Sequence, residues 1–247
     1  MKYLRPSLFA VGLLATQAQA EPILPKFDPA DFVAGAAIDN PYLPFPPGFQ
    51  SATYGVSRDD EGDLVEERTK TSYVGPGPEI AGVATVMMQD EAFRGKLNVE
   101  QTKDYYAQDR AGNVWYLGED VLNIHFDDED KVTGTDTKGS WRAGVNEALP
   151  GYAMPAGPVP GLAYEQEHAP ADKALDRAEI VAVDGTLDIG GHSYTQVVSI
   201  YETSAAEPDL REMKYYAPGV GLIREEEAVD LNRANPEAHF DLVPNGQ

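Results

Sequence analysis

Short β-strand-like segments follow one another along most of this chain, with no alternation of helix and strand. Residues 65–74 are long and rich in β-branched side chains, and residues 83–88 form a short apolar run bounded by Gly82. Further strand-like runs cover residues 97–108, 113–118, 122–126, 131–137, 177–183, 194–202, 212–217 and 221–229. Closely spaced strands joined by tight turns favour antiparallel pairing of neighbours. We therefore predict a mainly β fold, a curved antiparallel sheet or open β-barrel with little helix.

Two proline-rich stretches interrupt this pattern. Residues 21–50 contain seven prolines and predict an extended lead-in with one short helical piece near 31–37. Residues 142–162 contain four prolines and four glycines, which is typical of a long surface connection. We expect both stretches to cover the sheet. The predicted organisation is residues 1–20 as a signal peptide, 21–50 as the lead-in, 51–230 as a single β-rich domain and 231–247 as a C-terminal tail.

The N-terminus has the three parts of a secretory signal. Lys2 and Arg5 precede an apolar run at residues 8–15, and Ala18-Gln19-Ala20 supplies the small-residue pattern that signal peptidase requires. No later stretch reaches the ~20 apolar residues of a membrane span. We expect cleavage after Ala20 and a soluble protein, periplasmic or secreted, without a membrane span.

Charge and cysteine content exclude several kinds of chemistry. The chain has no cysteine, so it has no disulfide, thiolate nucleophile or cysteine-based metal site. Its formal net charge is −22, and removal of residues 1–20, which hold two basic and no acidic residues, would make it −24. Such a charge repels nucleic acid. It is compatible with Ca²⁺ or with a cationic partner, and also with a role in solubility alone.

Aromatic and acidic residues concentrate in one predicted hairpin at residues 105–116. Asp109 can start a type I turn that ends at Gly112. Strand alternation then predicts Trp115 and Glu119 on one face, and Tyr116 and Asp120 on the other. A mixed aromatic and carboxylate face can bind a sugar or another polar ring, and the alternative is that the rings form cross-strand pairs that stabilise the sheet. The residues predicted to bind a small molecule or lipid are Trp115, Tyr116, Trp141 and Glu167.

Oxygen donors around the same turn predict a cation site. Its candidate ligands are Asp109, Asn113, Glu119 and Asp120, and hard oxygen ligands suit Ca²⁺. No other cofactor is indicated. The second acidic turn, at residues 127–130, lacks the spacing of a calcium loop and is typical of a solvated hairpin tip.

Several separated motifs resemble a family of exported bacterial β-rich proteins. They are QDxxGNVWYxGED at residues 108–120, GSWxAG at 139–144 and KYYAPGVGL at 214–222, and Asn40-Pro41-Tyr42 is similar to the family's opening motif. The resemblance spans residues 38–226 and implies an exported β-rich domain without a catalytic assignment. The KYYAPGVGL motif at residues 214–222 is also similar to the final hairpin of periplasmic proteins related to lipoprotein carriers.

Catalytic motifs are otherwise missing from the sequence. The four histidines are scattered, and Ser193 lacks the glycine and the following helix of a nucleophile elbow. The leading hypothesis is therefore a non-enzymatic, exported protein that binds a small molecule, lipid or cation. One alternative is a hydrolase that uses acidic residues such as Glu119 or Glu167 on glycosides or esters. The other is a structural or adhesive component of the cell envelope.

Overall fold

The computed structural model describes residues 21–59 and 61–243, so the predicted signal peptide lies outside the described residues. One short 3-10 turn covers Pro29–Asp31. The strands are β1 (Gln50–Arg58), β2 (Leu64–Ile80), β3 (Val83–Arg94), β4 (Leu97–Gln108), β5 (Val114–Phe126), β6 (Val132–Asp136), β7 (Trp141–Arg142), β8 (Leu149–Met154), β9 (Ala163–Glu165), β10 (Glu167–His168), β11 (Asp176–Ile189), β12 (His192–Ser204), β13 (Arg211–Ala217), β14 (Gly221–Glu227) and β15 (Ala238–Leu242). Within the described ranges, no helix has the length and hydropathy needed to cross a membrane.

Thirteen of these strands form one antiparallel sheet that curls into a nearly closed barrel, which confirms the predicted fold class. The strand order is β10-β8-β5-β4-β3-β2-β1-β15-β14-β13-β12-β11-β9, and β6 and β7 pair with β5 beside this path. Strands β1 to β5 and β11 to β14 each follow chain order, as expected of meanders joined by short turns. We call the interior of this barrel the lumen.

A single short piece of chain brings the two ends of the sheet together. Strand β9 pairs with β11 on one side, and β10 pairs with β8 on the other, with only Gln166 between them. Gly151 of β8 permits this approach, because a Cβ at that position would lie 2.0 Å from the carbonyl oxygen of Glu165. The barrel therefore closes through a strand that changes partner halfway along.

One part of the lumen is an ordinary apolar core. Met88, Ile180 and Ile200 are fully buried there, and Phe45 of the lead-in packs among them with its ring 5.2 Å from that of Tyr106. The side chains of Leu43 and Phe49 also reach the lumen. The lead-in thus fills the apolar part of the barrel with its own side chains.

The first half of the lead-in covers the outside of the barrel. The rings of Phe27 and Phe32 lie 5.5 Å and 6.0 Å from Trp115 on the outer face of β5. Asn40 then anchors the chain where it turns inward, because its side chain accepts from the backbone N–H of Tyr42 and donates to the carbonyl of Gly112. This confirms the covering role predicted for the first proline-rich stretch.

Three expectations about finer organisation need correction. Residues 149–154 of the second proline-rich stretch form β8 rather than a surface connection, and Pro150 lies near the start of that strand, where a missing N–H is tolerated. Residues 238–242 of the expected tail form β15, which pairs with both β1 and β14. The helical piece predicted near 31–37 is a 3-10 turn at Pro29–Asp31 instead.

Candidate binding site in the lumen

The hairpin between β4 and β5 has the predicted turn. The backbone N–H of Gly112 donates to the carbonyl of Asp109 at 3.0 Å, and that of Asp109 donates to the carbonyl of Asn113 at 3.0 Å. Tyr106 and Tyr116 lie opposite each other in the two strands, with their rings stacked at 5.0 Å. The aromatic cross-strand pairing expected from the sequence is therefore present.

A β-bulge in β5 exchanges the faces that simple alternation predicts beyond Tyr116. Tyr106 pairs with Tyr116 and Tyr105 pairs with Gly118, so that Leu117 is an extra residue in the ladder. Gly118 adopts a φ of 143°, and a Cβ there would lie 2.5 Å from the carbonyl oxygen of Trp141. As a consequence, Glu119 shares the lumen with Tyr116. The expected grouping of Glu119 with Trp115 is wrong, because the bulge adds one residue to the alternation.

Trp115 and Asp109 form a closed structural unit on the outer face. The indole N–H of Trp115 and the side-chain amide of Asn113 both donate to Asp109 Oδ2 at 2.8 Å. Asp109 Oδ1 accepts from the backbone N–H groups of Ala111 and Asn113. Trp115 is 3% exposed, under Phe27 and Phe32. The polar atoms of this unit already bind one another, which leaves no surface for a ligand.

Asp120 also has its partners on the outer face. It accepts from the hydroxyl of Tyr105 at 2.8 Å and pairs with Arg142 at 2.6 Å. Asn113 and Glu119 are six positions apart along an extended chain, about 20 Å. The four predicted metal ligands Asp109, Asn113, Glu119 and Asp120 therefore do not converge on one point.

Three of the four predicted ligand-binding residues do meet in the lumen. Trp141 lies directly across the ladder from Glu119, and its ring is 5.5 Å from that of Tyr116. Glu167, of β10, lines the same cavity as Tyr116 and Glu119. The site thus contains Tyr116, Trp141 and Glu167, together with Glu119 from the predicted metal set, and Trp115 is excluded from it.

The lumen contains two neighbouring cavities of ≈ 220 Å³ and ≈ 240 Å³. They share the lining residues Leu43, Tyr106, Lys214 and Tyr216. Among the described residues, seven carboxylates line the two cavities and Lys214 is the one basic side chain. The first cavity has Asp90, Asp104 and Glu225, and the second has Glu119, Glu167, Asp176 and Glu202. We call these seven side chains the lumen carboxylates.

Burial disfavours the charged form of the lumen carboxylates. It raises the pKa of Glu119 to about 7 and that of Asp90 to about 6. Burial, followed by the charges of neighbouring carboxylates, holds the pKa values of Asp104 and Glu167 well above their usual range. Clusters of perturbed carboxyl groups in a cavity are typical of functional sites.

Lys214 is fully occupied by three of its neighbours. Its Nζ lies 2.6 Å from Glu202, 3.2 Å from Glu212 and 3.5 Å from Glu225. Burial would lower the pKa of Lys214, but these negative charges outweigh it and raise the pKa well above its usual value. One positive charge is thus divided among three carboxylates.

Several polar atoms of the site have no hydrogen-bond partner among the described residues. They include Glu167 Oε2, Asp90 Oδ1 and the indole nitrogen of Trp141. Glu167 is only 5% exposed and Trp141 only 3%. A buried polar group without a partner is costly, so each one calls for a physical explanation. A polar or charged ligand in contact with these atoms would satisfy them.

Among the described residues, one group of three carboxylates near Lys214 is close enough to share a metal ion. One oxygen each from Glu212, Glu225 and Glu227 lies within 4.8 Å of the other two. This spacing suits a cation, as does the pKa of Glu227, which burial raises to about 7. Lys214 Nζ already lies against Glu212 and Glu225, so its ammonium group supplies positive charge to this cluster.

Sequence reasoning did not identify most of the lumen carboxylates. Asp90 and Glu202 each lie two positions from a buried apolar residue of the same strand, Met88 and Ile200, and Asp104 lies two positions from the partly buried Tyr106. A carboxylate that continues an inward-facing alternation was the available signal. This signal does not identify the lumen carboxylates by itself, because the closure of the sheet decides which face of a strand points inward.

Comparisons with known proteins provide no assignment. No family model and no curated protein matches the chain. A solved structure of a "putative lipoprotein" from Parabacteroides distasonis is similar over 83% of this chain and 98% of that chain, with 12% identity and a TM-score of 0.37. A likeness at this level carries no argument about function, so the case for function depends on the site itself.

Proposed function

We propose that this protein is an exported binding protein that takes a small cationic ligand into its lumen. Export is supported by the signal-peptide pattern of residues 1–20 and by the resemblance of three motifs to an exported family. The observation that carries the proposal is the lining of the lumen, where seven carboxyl groups and one lysine that is already paired border the two cavities.

A cation in the lumen would be attracted by the lumen carboxylates. It would stabilise the ionised form of Glu119 and Glu167, whose pKa values are raised by burial and by nearby carboxylates. It would also give Glu167 Oε2 a partner. The rings of Tyr106 and Tyr116 border the same space and can add cation–π attraction.

Lipids and large sugars fit this space less well. The apolar part of the barrel is occupied by Phe45, Met88 and Ile200. Each cavity is smaller than the ~300–1,000 Å³ typical of pockets for drug-sized molecules. Among the ligand classes considered from the sequence, the small cation is the one that the lumen favours.

Thermal unfolding with a panel of ligands tests this proposal. We expect a metal ion or an amine to raise the melting temperature by several degrees when present at ~100 times its Kd, and glucose or a fatty acid to leave it unchanged. Glu167→Gln should weaken the affinity for that ligand at least tenfold, which is seen as a smaller rise in melting temperature. Asp120→Asn removes the same charge from the outer face, and it should not alter the response. If millimolar concentrations of metal ions and amines leave the wild-type protein unaffected, the proposal is rejected.

A further inference from the structure

Four of the lumen carboxylates form a row across one wall of the barrel. Asp104 of β4 lies directly opposite Glu119 of β5, and Asp90 of β3 is two positions beyond the residue that pairs with Asp104. Glu167 lines the same cavity as Glu119, whose charge raises the pKa of both Asp104 and Glu167, and the charge of Asp90 also raises that of Asp104. The row therefore runs from Asp90 through Asp104 and Glu119 to Glu167.

The two ends of the row carry the unpartnered oxygens. Asp90 Oδ1 lies at one end and Glu167 Oε2 at the other, and both atoms are buried. Asp104, between them, accepts from the hydroxyl of Tyr116 at 2.6 Å. Asp90 lines the first cavity and Glu167 the second, so the two unpartnered oxygens belong to different cavities of the lumen.

No basic side chain of the described ranges forms an ion pair with this row. Lys214 pairs with Glu202, Glu212 and Glu225 instead. Asp90 on β3 and Glu119 on β5 are two strand spacings apart, about 10 Å. A single compact ion cannot contact both ends of a row of this length.

We propose that the ligand is a linear aliphatic diamine or polyamine, with one ammonium group at Glu119 and Glu167 and another at Asp90. The proposal rests on the function proposed above and names the class of cation. A chain of methylene groups would span the distance between the two ends. Tyr106 and Tyr216 line both cavities, and Tyr116, stacked on Tyr106, lines the second; these rings suit both the methylene groups and the ammonium charges.

Titration calorimetry at pH 7.5 in 150 mM NaCl separates this ligand class from other cations. The probes are spermidine, 1,4-diaminobutane, n-butylamine and CaCl₂, and the salt screens attraction to the acidic outer surface. We expect spermidine or 1,4-diaminobutane to bind with a stoichiometry of one, at least tenfold more tightly than n-butylamine. Asp90→Asn and Glu167→Gln should each reduce that affinity at least tenfold, and the matched outer-face variant Asp120→Asn should not.

Proton release provides a measurement that needs no variant. Binding of a ligand with two or more ammonium groups should ionise more of the carboxyl groups whose pKa values are raised than binding of a monoamine does. The same titration in two buffers of different ionisation enthalpy should therefore show more protons released by spermidine than by n-butylamine.

Other outcomes overturn the polyamine assignment and leave the cation site standing. These are equal affinities for n-butylamine and the diamines, binding of Ca²⁺ alone, or loss of binding in Glu167→Gln but not in Asp90→Asn. Several weak sites that are insensitive to all three variants would indicate attraction to the outer surface and overturn it as well. If none of the four probes binds, both the assignment and the proposed function fail.

Discussion

The two faces of strand β5 carry the same kinds of side chains but use them differently. On the outer face, Trp115 donates to Asp109, and Asp120 pairs with Tyr105 and Arg142. On the inner face, Glu119 and Trp141 lie beside Glu167, which keeps an oxygen without a partner. An aromatic ring next to a carboxylate is therefore ambiguous in a sequence. The pairing of the polar atoms separates a structural cluster from a candidate binding site.

The largest effect is expected from truncating the outer-face cluster. Trp115→Ala removes a buried ring that contacts Phe27, Phe32 and Tyr152, and it should lower the free energy of unfolding by about 3–5 kcal/mol. Urea denaturation measures this loss. Under conditions where the variant stays folded, its affinity for a cation should match that of the wild type. A loss below about 1 kcal/mol would show that the outer cluster is not structural.

Removing a carboxylate from the inner face should raise the free energy of unfolding, by an amount that depends on pH. Because the pKa of Glu119 is raised from 4.5 to about 7, the folded state holds this proton more tightly than the unfolded state does. Its contribution to stability is present below pH 4.5 and is lost as pH rises through 7. Glu119→Gln should therefore be more stable than wild type at pH 8, by on the order of 3 kcal/mol, and about equal to it near pH 4.5.

Urea denaturation of both proteins at pH 5 and pH 8 measures this difference. Asp120→Asn serves as the control, because it removes a carboxylate at the adjacent position on the other face. An equal change of stability with pH in the wild type and Glu119→Gln would contradict the assignment of Glu119 to the buried, desolvated row.

A smaller loss should follow from disturbing the acceptor of the outer cluster without truncating its ring. Asp109→Asn places an amide group where Oδ2 accepts from Trp115 and Asn113, and two donors then lose their partner. We expect a loss of about 2 kcal/mol in the free energy of unfolding. Cation binding should not change, because Asp109 lies outside the lumen.

The same comparison shows how far the sequence could predict the molecule. The alternation of apolar and polar residues, the turn residues and the absence of a helical period were sufficient to predict the fold class and the hairpin at Asp109. The placement of Glu119 was not predictable in this way, because a single bulge at Gly118 decides its face. Glu167 and Asp90 are far apart in the chain, and only the closure of the barrel through residues 163–168 brings them into one lumen.

The smallest effect is expected at Asp120. Its side chain is 56% exposed, and exposed ion pairs such as the one with Arg142 contribute little. Bonds from Arg142 and Tyr105 lower the pKa of Asp120 despite partial burial, so its contribution is present at neutral pH and is lost under acidic conditions. Asp120→Asn should therefore cost less than about 1 kcal/mol at pH 8 in urea denaturation, whereas Glu119→Gln should be stabilising there. Two neighbouring acids would then shift stability in opposite directions. If both variants shift it in the same direction, the bulge does not separate the two faces as described.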